Sequence, residues 1–576
     1  MSNIVTNIKN DDISIILCGQ AGLGIQSVEY LLTRILKLSG FNVFATKEYM
    51  SRVRGGANST EIRVSSNRVS SFVNRIDILV PLNKGAIEHV AERISPETIV
   101  LSEKDNLSDN FGRNKYRFIE VPFTKIATDI GNKIYSNVVA VGTLCSLFGI
   151  ESKVVIDYVR SFFAAKSDDI IKKNIEAAEA GYKKGISLIN SDQIKININK
   201  ASSVKDDILL NGAEAVGLGA LAGGCNFVSS YPMSPSTAVL VFLAKHSNDF
   251  GVIVEQAEDE IAAMNMCIGA WYAGARAMVT TSGGGFALMI EGLSLAGMLE
   301  SPIVIHLAQR PGPATGLPTR TEQADLELAL YAGHGEFGRI ILAPGKIEDG
   351  LYLTNKAFDL ADKYQVPVFI LTDQYFIDSY YNIPALGLQD KAIENYTVET
   401  KKDYIRYNFS DNGISARGIP GHGEGLVVVD SDEHDQQGHI TENLDIRVKM
   451  VDKRLKKMEL VKDEIIAPEQ IGSDDYKTLI ICWGSTYNVV TEAVKTLNKN
   501  DLAVLHFKQV YPIHDSIFDY IQKAQRIVIV ENNATSQFGK LLKLKTGIDI
   551  EHKILKYNGL CFSVEELTDR LEEILG

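Results

Sequence analysis

The sequence predicts an α/β protein with three Rossmann-like, parallel-sheet domains in one chain. Three observations point there. Short apolar strand-like runs recur ahead of polar turns, a helical pattern follows nearly every run, and 576 residues suffice for roughly three to four domains of about 150 residues. Hydrophobic residues make up 45% of the chain, enough to fill several cores. A formal net charge of −13 argues against a nucleic-acid or anionic-membrane surface. Neither a leader-like start nor a run long enough to span a bilayer is visible, so a cytoplasmic protein is expected. The six cysteines, at 18, 145, 225, 267, 482 and 561, form no CxxC unit. Reduced, mostly buried thiols are expected, with no metal bound by this chain itself.

The first domain runs over residues 1–190. Strand-like Ile13 to Cys18 leads into Gly19-Gln20-Ala21-Gly22-Leu23-Gly24 and a helix from about Gln26 to Leu38. Strand, glycine turn and helix suit an anion resting on free amides. The glycine spacing only approximates the dinucleotide fingerprint. The next strand, Val43 to Lys47, offers no acid for a ribose except Glu48 just past it. A tight turn and a site for another phosphate-bearing ligand both stay open. The loop Ser51-Arg52-Val53-Arg54-Gly55-Gly56-Ala57-Asn58 places guanidinium forks beside bare amides, a suitable receptor for an oxyanion and equally a solvated or interface loop. Strands at 98–101 and 117–121 and helices at 151–163 and 168–188 complete the domain.

Residues 191–205 are polar and read as a linker. The second domain, 206–325, has strands at 226–230, 252–255, 277–281 and 303–307. Four polar turns follow them: Ser229 to Thr237, Glu258 to Ala263, Thr281 to Gly285 and Arg310 to Thr319. Turns so placed within about a hundred residues suggest a cofactor and substrate cleft. Ser234-Pro235 reads as an N-cap followed by proline at the first helical position. Glu260 falls on the buried edge of a helix over about 257–273, whereas Glu258 sits about 200° around it. A carboxylate on a buried edge must find a donor or shift its pKa. Arg310, held in a proline- and glycine-containing loop, suits a carboxylate receptor or a structural ion pair.

The third domain, 326–576, has strands at 339–342, 366–371, 479–482, 502–505 and 526–530, interrupted by an irregular excursion at about 378–446. Within the excursion, Asp430-Ser431-Asp432-Glu433-His434-Asp435 could hold a metal, but a solvated acidic turn or interdomain contact fits better.

Together these motifs resemble the 2-oxoacid:ferredoxin oxidoreductases, enzymes dependent on thiamine diphosphate. Tyr231-Pro232-Met233-Ser234-Pro235-Ser236 resembles their YPITPS segment and Glu258 to Ala263 their EDEIAA. Thr281 to Met289 resembles TSGPGFSLM, and Arg310 to Gln323 resembles R-x-GPSTGLPTRTEQ. The first domain is similar to the family's gamma part through Gly19 to Gly24 and Arg52 to Gly56. The second is similar to its pyrimidine-binding domain, and the third to its transketolase C-terminal-like domain through Asp430 to Glu442 and Val530 to Asn533. Ser234 replaces the usual threonine and Gly284 the usual proline.

The resemblance implies a fused gamma-alpha large subunit. Glu260 would hydrogen-bond N1′ of the aminopyrimidine, with Tyr231, Pro232, Ser282 and Gly283 around the cofactor. Arg310 would grip the 2-oxoacid carboxylate, with Ser234 and Thr319 as companions, and Arg52 and Arg54 would meet the phosphates of coenzyme A. Diphosphate, Mg2+ and a [4Fe-4S] cluster would belong to a beta subunit, in a dimer of heterodimers that passes electrons to ferredoxin. The implied reaction converts a 2-oxoacid, with 2-oxoglutarate favoured by the fused layout, and coenzyme A to acyl-CoA and CO2. A dinucleotide-dependent dehydrogenase and a non-catalytic scaffold subunit are the alternatives.

Overall fold

The computed structural model describes residues 6–8, 11–20, 25–50, 57–107, 116–386 and 393–576. The chain packs as two units, one of residues 1–210, 378–386 and 563–566, the other of residues 211–377, 387–562 and 567–576.

The first unit is built on an eight-stranded sheet in the order 117–120, 99–102, 78–81, 12–20, 57–65, 42–48, 380–383, 208–211. Asp12–Gln20 is buried over most of its length and lies at the centre. The sheet is mixed where a parallel one was expected. Ala57–Ser65 runs antiparallel to both Asp12–Gln20 and Asn42–Glu48. Only residues 49–56 separate it from Asn42–Glu48, fewer than the dozen or so a parallel crossover needs, so the chain returns as an antiparallel neighbour. Helices Ser136–Leu147 and Asp168–Asn190 pack so closely that a Cβ on Gly181 would sit 2.0 Å from the Val139 carbonyl oxygen.

The stretch read as a linker is tied into this unit. Ile194–Ile196 pairs in parallel with Thr6–Ile8, and the Ala201 amide donates to the Gly40 carbonyl at 2.8 Å. The excursion also begins here, with Tyr380–Ile383 adding antiparallel to the Asn42–Glu48 strand.

The second unit carries two sheets. The seven-stranded one has the order 253–256, 227–230, 277–281, 303–309, 367–373, 340–342, 509–511. Its first six strands are parallel and the last is antiparallel. Strands 340–342 and 367–373, assigned from sequence to the third domain, therefore complete the sheet of the second. The helix Ile347–Tyr364 provides the crossover that parallel neighbours require. The five-stranded sheet follows the order 469–472, 502–507, 478–483, 526–531, 552–555. One apolar core, from Val228 and Trp271 through Phe369 to Trp483 and Phe538, runs through both sheets. Among the described residues, no helix is long and apolar enough to cross a membrane.

Candidate active site

The four polar turns leave the C-terminal ends of four neighbouring parallel strands: Ile253–Gln256, Phe227–Ser230, Ala277–Thr281 and Ile303–Gln309. Parallel strands deliver their following loops to one edge of the sheet, and that edge is where open α/β sheets place ligands. Ser230 Oγ donates to the Thr280 carbonyl at 2.6 Å and the Ala257 amide to the Ser230 carbonyl at 3.0 Å, which locks three of the turns together. Beneath them His306 lies between Thr280 Oγ1 at 2.7 Å and Thr372 Oγ1 at 2.9 Å. Burial pushes its imidazole down to about 3, so it is a neutral strut across three strands.

Glu260 is the first residue of the helix Glu260–Tyr272, whose N-cap is Asp259, with Oδ1 accepting the Ala262 amide at 2.7 Å. Glu260 is buried, whereas Glu258 is exposed and precedes the helix. The helical angle between the two acids therefore does not apply, and burial distinguishes them instead. The Glu260 side chain lies against the glycine turn. A Cβ on Gly285 would meet Glu260 Cγ at 2.9 Å, Glu260 Oε1 at 3.0 Å and Thr281 Oγ1 at 2.3 Å. Only a glycine permits that approach. The turn is itself helical, Gly283–Leu288, where the sequence suggested a turn ahead of a helix.

Arg310 is buried, and its guanidinium makes one hydrogen bond among the described residues, from Nη1 to the Ser234 carbonyl at 2.7 Å. Its Nε has no partner among the described residues, and burial lowers its pKa, with Asp325 acting in opposition. A desolvated guanidinium with an unused edge is chemically suited to accept an anion. Its loop is closed by Gln309 Oε1, which accepts the Asp325 amide at 3.0 Å. Farther along, the Gln323 amide donates to the Asn532 carbonyl at 2.7 Å, the Asn532 amide donates to Gln323 Oε1 at 3.0 Å, and Gln323 Nε2 donates to the Trp483 carbonyl at 2.9 Å.

Residues 218–453 match the family described as pyruvate flavodoxin/ferredoxin oxidoreductase, thiamine diphosphate binding, and residues 14–184 match pyruvate ferredoxin/flavodoxin oxidoreductase. The 2-oxoacid:ferredoxin oxidoreductase subunit alpha of a Sulfolobus species is 31% identical, across 98% of this chain and 97% of its own. The chain belongs to the 2-oxoacid:ferredoxin oxidoreductase family. A 2-oxoglutarate synthase subunit KorA of Archaeoglobus fulgidus is 33% identical over 57% of this chain and 88% of its own length. A solved 2-oxoglutarate:ferredoxin oxidoreductase from Magnetococcus marinus, with 2-oxoglutarate, coenzyme A and succinyl-CoA bound, matches at TM-score 0.91 and 29% identity, covering 99% of this chain and 100% of that one.

The strand-end edge fits the thiamine diphosphate that this family uses. Ser282 Oγ is fully buried there without a partner among the described residues, and the turn that follows has no Cβ to block an approach to Glu260. Of the other residues expected at the site, Ser234 joins it through its carbonyl to Arg310, Gly283 and Thr319 are buried, Pro232 is half-buried and Tyr231 is exposed. Arg52 and Arg54 lie outside the described residues.

Two sequence readings change. The helix after Ser234 opens at Thr237 with Ser236 as N-cap, and Ser236 Oγ donates to the Met233 carbonyl, so Pro235 is not at its first position. The acidic run at 430–435 is neither solvated throughout nor a metal cluster among the described residues. Glu433 pairs with Arg454 at 3.0 Å and with Arg447, and His434 is fully buried with its ring 4.0 Å from that of Tyr407. Asp325 and Gln323 were missed. The signal for Gln323 was its place in the Arg310 to Gln323 motif; for Asp325, two residues beyond, the sequence gives none.

Proposed function

We propose that this chain is the large, fused gamma-alpha subunit of a thiamine-diphosphate-dependent enzyme that oxidatively decarboxylates a 2-oxoacid, 2-oxoglutarate foremost, to acyl-CoA and CO2, with electrons passed to ferredoxin. The observation that carries this reading is the meeting, at adjacent parallel strand ends, of a buried glutamate against a glycine turn and an arginine with an unused edge. When bound, thiamine diphosphate supplies a carbon nucleophile for the keto carbon and an electron sink for decarboxylation. Glu260 would hold a proton at the aminopyrimidine N1′, and Tyr231, Pro232, Ser282 and Gly283 would hold the ring. Arg310 anchors the substrate carboxylate, with Ser234 and Thr319 beside it, so that positioning and electrostatics act on the same bond. Residues 1–190 serve as the gamma-like part, with Arg52 and Arg54 meeting the coenzyme A phosphates.

Apolar side chains stay exposed around the edge, among them Tyr231, Ile261, Met266, Leu288 and Leu317. A patch of this kind asks for a cover. We assign the cover to a beta subunit that brings the diphosphate and Mg2+ site and a [4Fe-4S] cluster, in a dimer of heterodimers. Glu260→Gln in the reconstituted complex is expected to lower 2-oxoacid-dependent viologen reduction by roughly 10²–10⁴-fold. Unchanged turnover would remove Glu260 from the chemistry, and robust viologen reduction by the single chain would remove the need for the partner.

A further inference from the structure

Asp325 follows the Arg310 loop and belongs to none of the motifs that identify the family. Its amide is held by Gln309 Oε1 at 3.0 Å, one residue before Arg310, so its position is fixed relative to that arginine. Its carboxylate presses on the glycine turn, where a Cβ on Gly283 would meet Oδ2 at 2.4 Å and Oδ1 at 2.5 Å. Its side chain does not cap the short helix Leu326–Tyr331 that follows, and Oδ2 is buried with no hydrogen-bond partner among the described residues. Asp325 is half-buried as a residue, and a carboxylate whose buried oxygen is left this way is costly unless it serves a neighbour.

The surrounding charges identify that neighbour. Among the described residues, Arg310 is the cation acting on Asp325, and Glu322 acts on it as a like charge. Glu260 faces the other side of the same turn at Gly285. Glu327 is occupied by Lys540 at 3.0 Å, and Asp373, in register with Gln309 on the next strand, by Ser485. Burial, reinforced by Glu322 and opposed by Arg310, raises the Asp325 carboxyl to about 7.

We propose that Asp325 is a positioning residue that takes up a proton when the 2-oxoacid binds, releasing the full charge of Arg310 to the substrate carboxylate. The inference rests on Arg310 being the carboxylate receptor. A second anion arriving at Arg310 makes a charged Asp325 more costly, so substrate and proton bind together. The proton passes from solvent to Oδ2 on binding. Once the carboxylate departs as CO2, leaving its electron pair on carbon, the proton returns to solvent.

The test uses the reconstituted holoenzyme at saturating coenzyme A. In the wild type, KM for the 2-oxoacid is expected to rise with pH above about 7, approaching a limit of about tenfold per pH unit for one coupled proton. In Asp325→Asn it is expected to stay flat and to be lower than wild type at high pH. Calorimetry of wild-type holoenzyme with a 2-hydroxyacid of matching length, in two buffers of different ionisation heat, is expected to show uptake of a substantial fraction of one proton near neutral pH. This measurement needs no variant to fold. No proton uptake, or a wild-type slope retained in Asp325→Asn, overturns the role of Asp325. An Arg310→Ala variant with unchanged KM overturns the receptor reading instead, so the two failures are distinguishable.

Discussion

Replacing Glu300 by glutamine tests a buried charge cluster of the second unit. Glu300 is 1% exposed and receives Lys453 Nζ at 2.7 and 2.8 Å on its two oxygens, while Lys457 pairs with Oε2. Arg406 donates to its carbonyl at 2.9 Å. Burial alone would raise this carboxyl, but Lys457, Lys453 and Arg406 hold it well below the usual carboxylate range. Burial pushes Lys457 down to about 7 even with Glu300 present. Glutamine leaves two buried ammonium groups with no counter-charge, and breaking such a pair costs about 3–5 kcal/mol. Urea unfolding followed by tryptophan fluorescence reads this unit, because Trp271 and Trp483 are both fully buried in it. The deficit should shrink as pH rises towards about 7, the folded-state value of Lys457 with Glu300 present. Lysines that lose Glu300 have folded pKa values depressed further below the unfolded value, and such groups gain stability as pH rises. Adding Lys457→Met should restore part of the loss, since the pair is then absent rather than broken. A deficit below about 1 kcal/mol, or one that grows with pH, would refute the assignment of Glu300 as the counter-ion of this cluster.

Three further outcomes are expected. Gly285→Ala puts a Cβ 2.3 Å from Thr281 Oγ1 and 2.9 Å from Glu260 Cγ, so steady-state turnover of the holoenzyme should fall by roughly 10²-fold as Glu260 is displaced, while circular dichroism stays unchanged. In the first unit, burial raises Glu29 to about 7, against the pull of Lys47. A carboxyl raised in the folded state contributes stability that is full below its unfolded pKa and lost as pH rises through the folded value, so Glu29→Gln should flatten a decline of up to about 3 kcal/mol between about pH 4 and pH 7 in melting experiments. Gln323→Ala strands the Asn532 amide and the Trp483 carbonyl, at about 1–3 kcal/mol each, and should raise KM for the 2-oxoacid more than it lowers kcat, because it loosens the loop carrying Arg310.

The four turns were legible because each pairs a distinctive residue with a strand end, and parallel strands bring such ends together. Sheet membership was not legible. Strands 340–342 and 367–373 look like any buried run, and only long-range pairing through Ile303–Gln309 assigns them to the seven-stranded sheet. Tyr380–Ile383 is similar: Asn382 accepts the Val43 amide at 2.8 Å, a partner 339 residues away. The acidic run misled because its cations lie elsewhere. Arg447 and Arg454 are seven residues apart, on one face of the helix Leu444–Val461, and converge on Glu433.

The departures at Ser234 and Gly284 become physical statements once the turn is seen in place. Gly283 and Gly285 are not interchangeable with Gly284. A Cβ at 283 would strike Asp325, and a Cβ at 285 would strike Glu260 and Thr281, so the two outer glycines separate two acids by a single turn of backbone. At 284 the nearest atom to a Cβ is the Ala314 carbonyl oxygen at 3.4 Å, and the position is in the first turn of Gly283–Leu288, where proline is tolerated because the amide has no intrahelical partner. Glycine in place of the family's proline therefore leaves the spacing of the acids intact and acts through the unfolded chain, whose added freedom must be lost on folding. Ser234 likewise contributes a carbonyl to Arg310, a contact that any residue at that position could make. Neither substitution disturbs these features: the Ser234 carbonyl still accepts from Arg310, and Gly283 and Gly285 still hold the two acids apart.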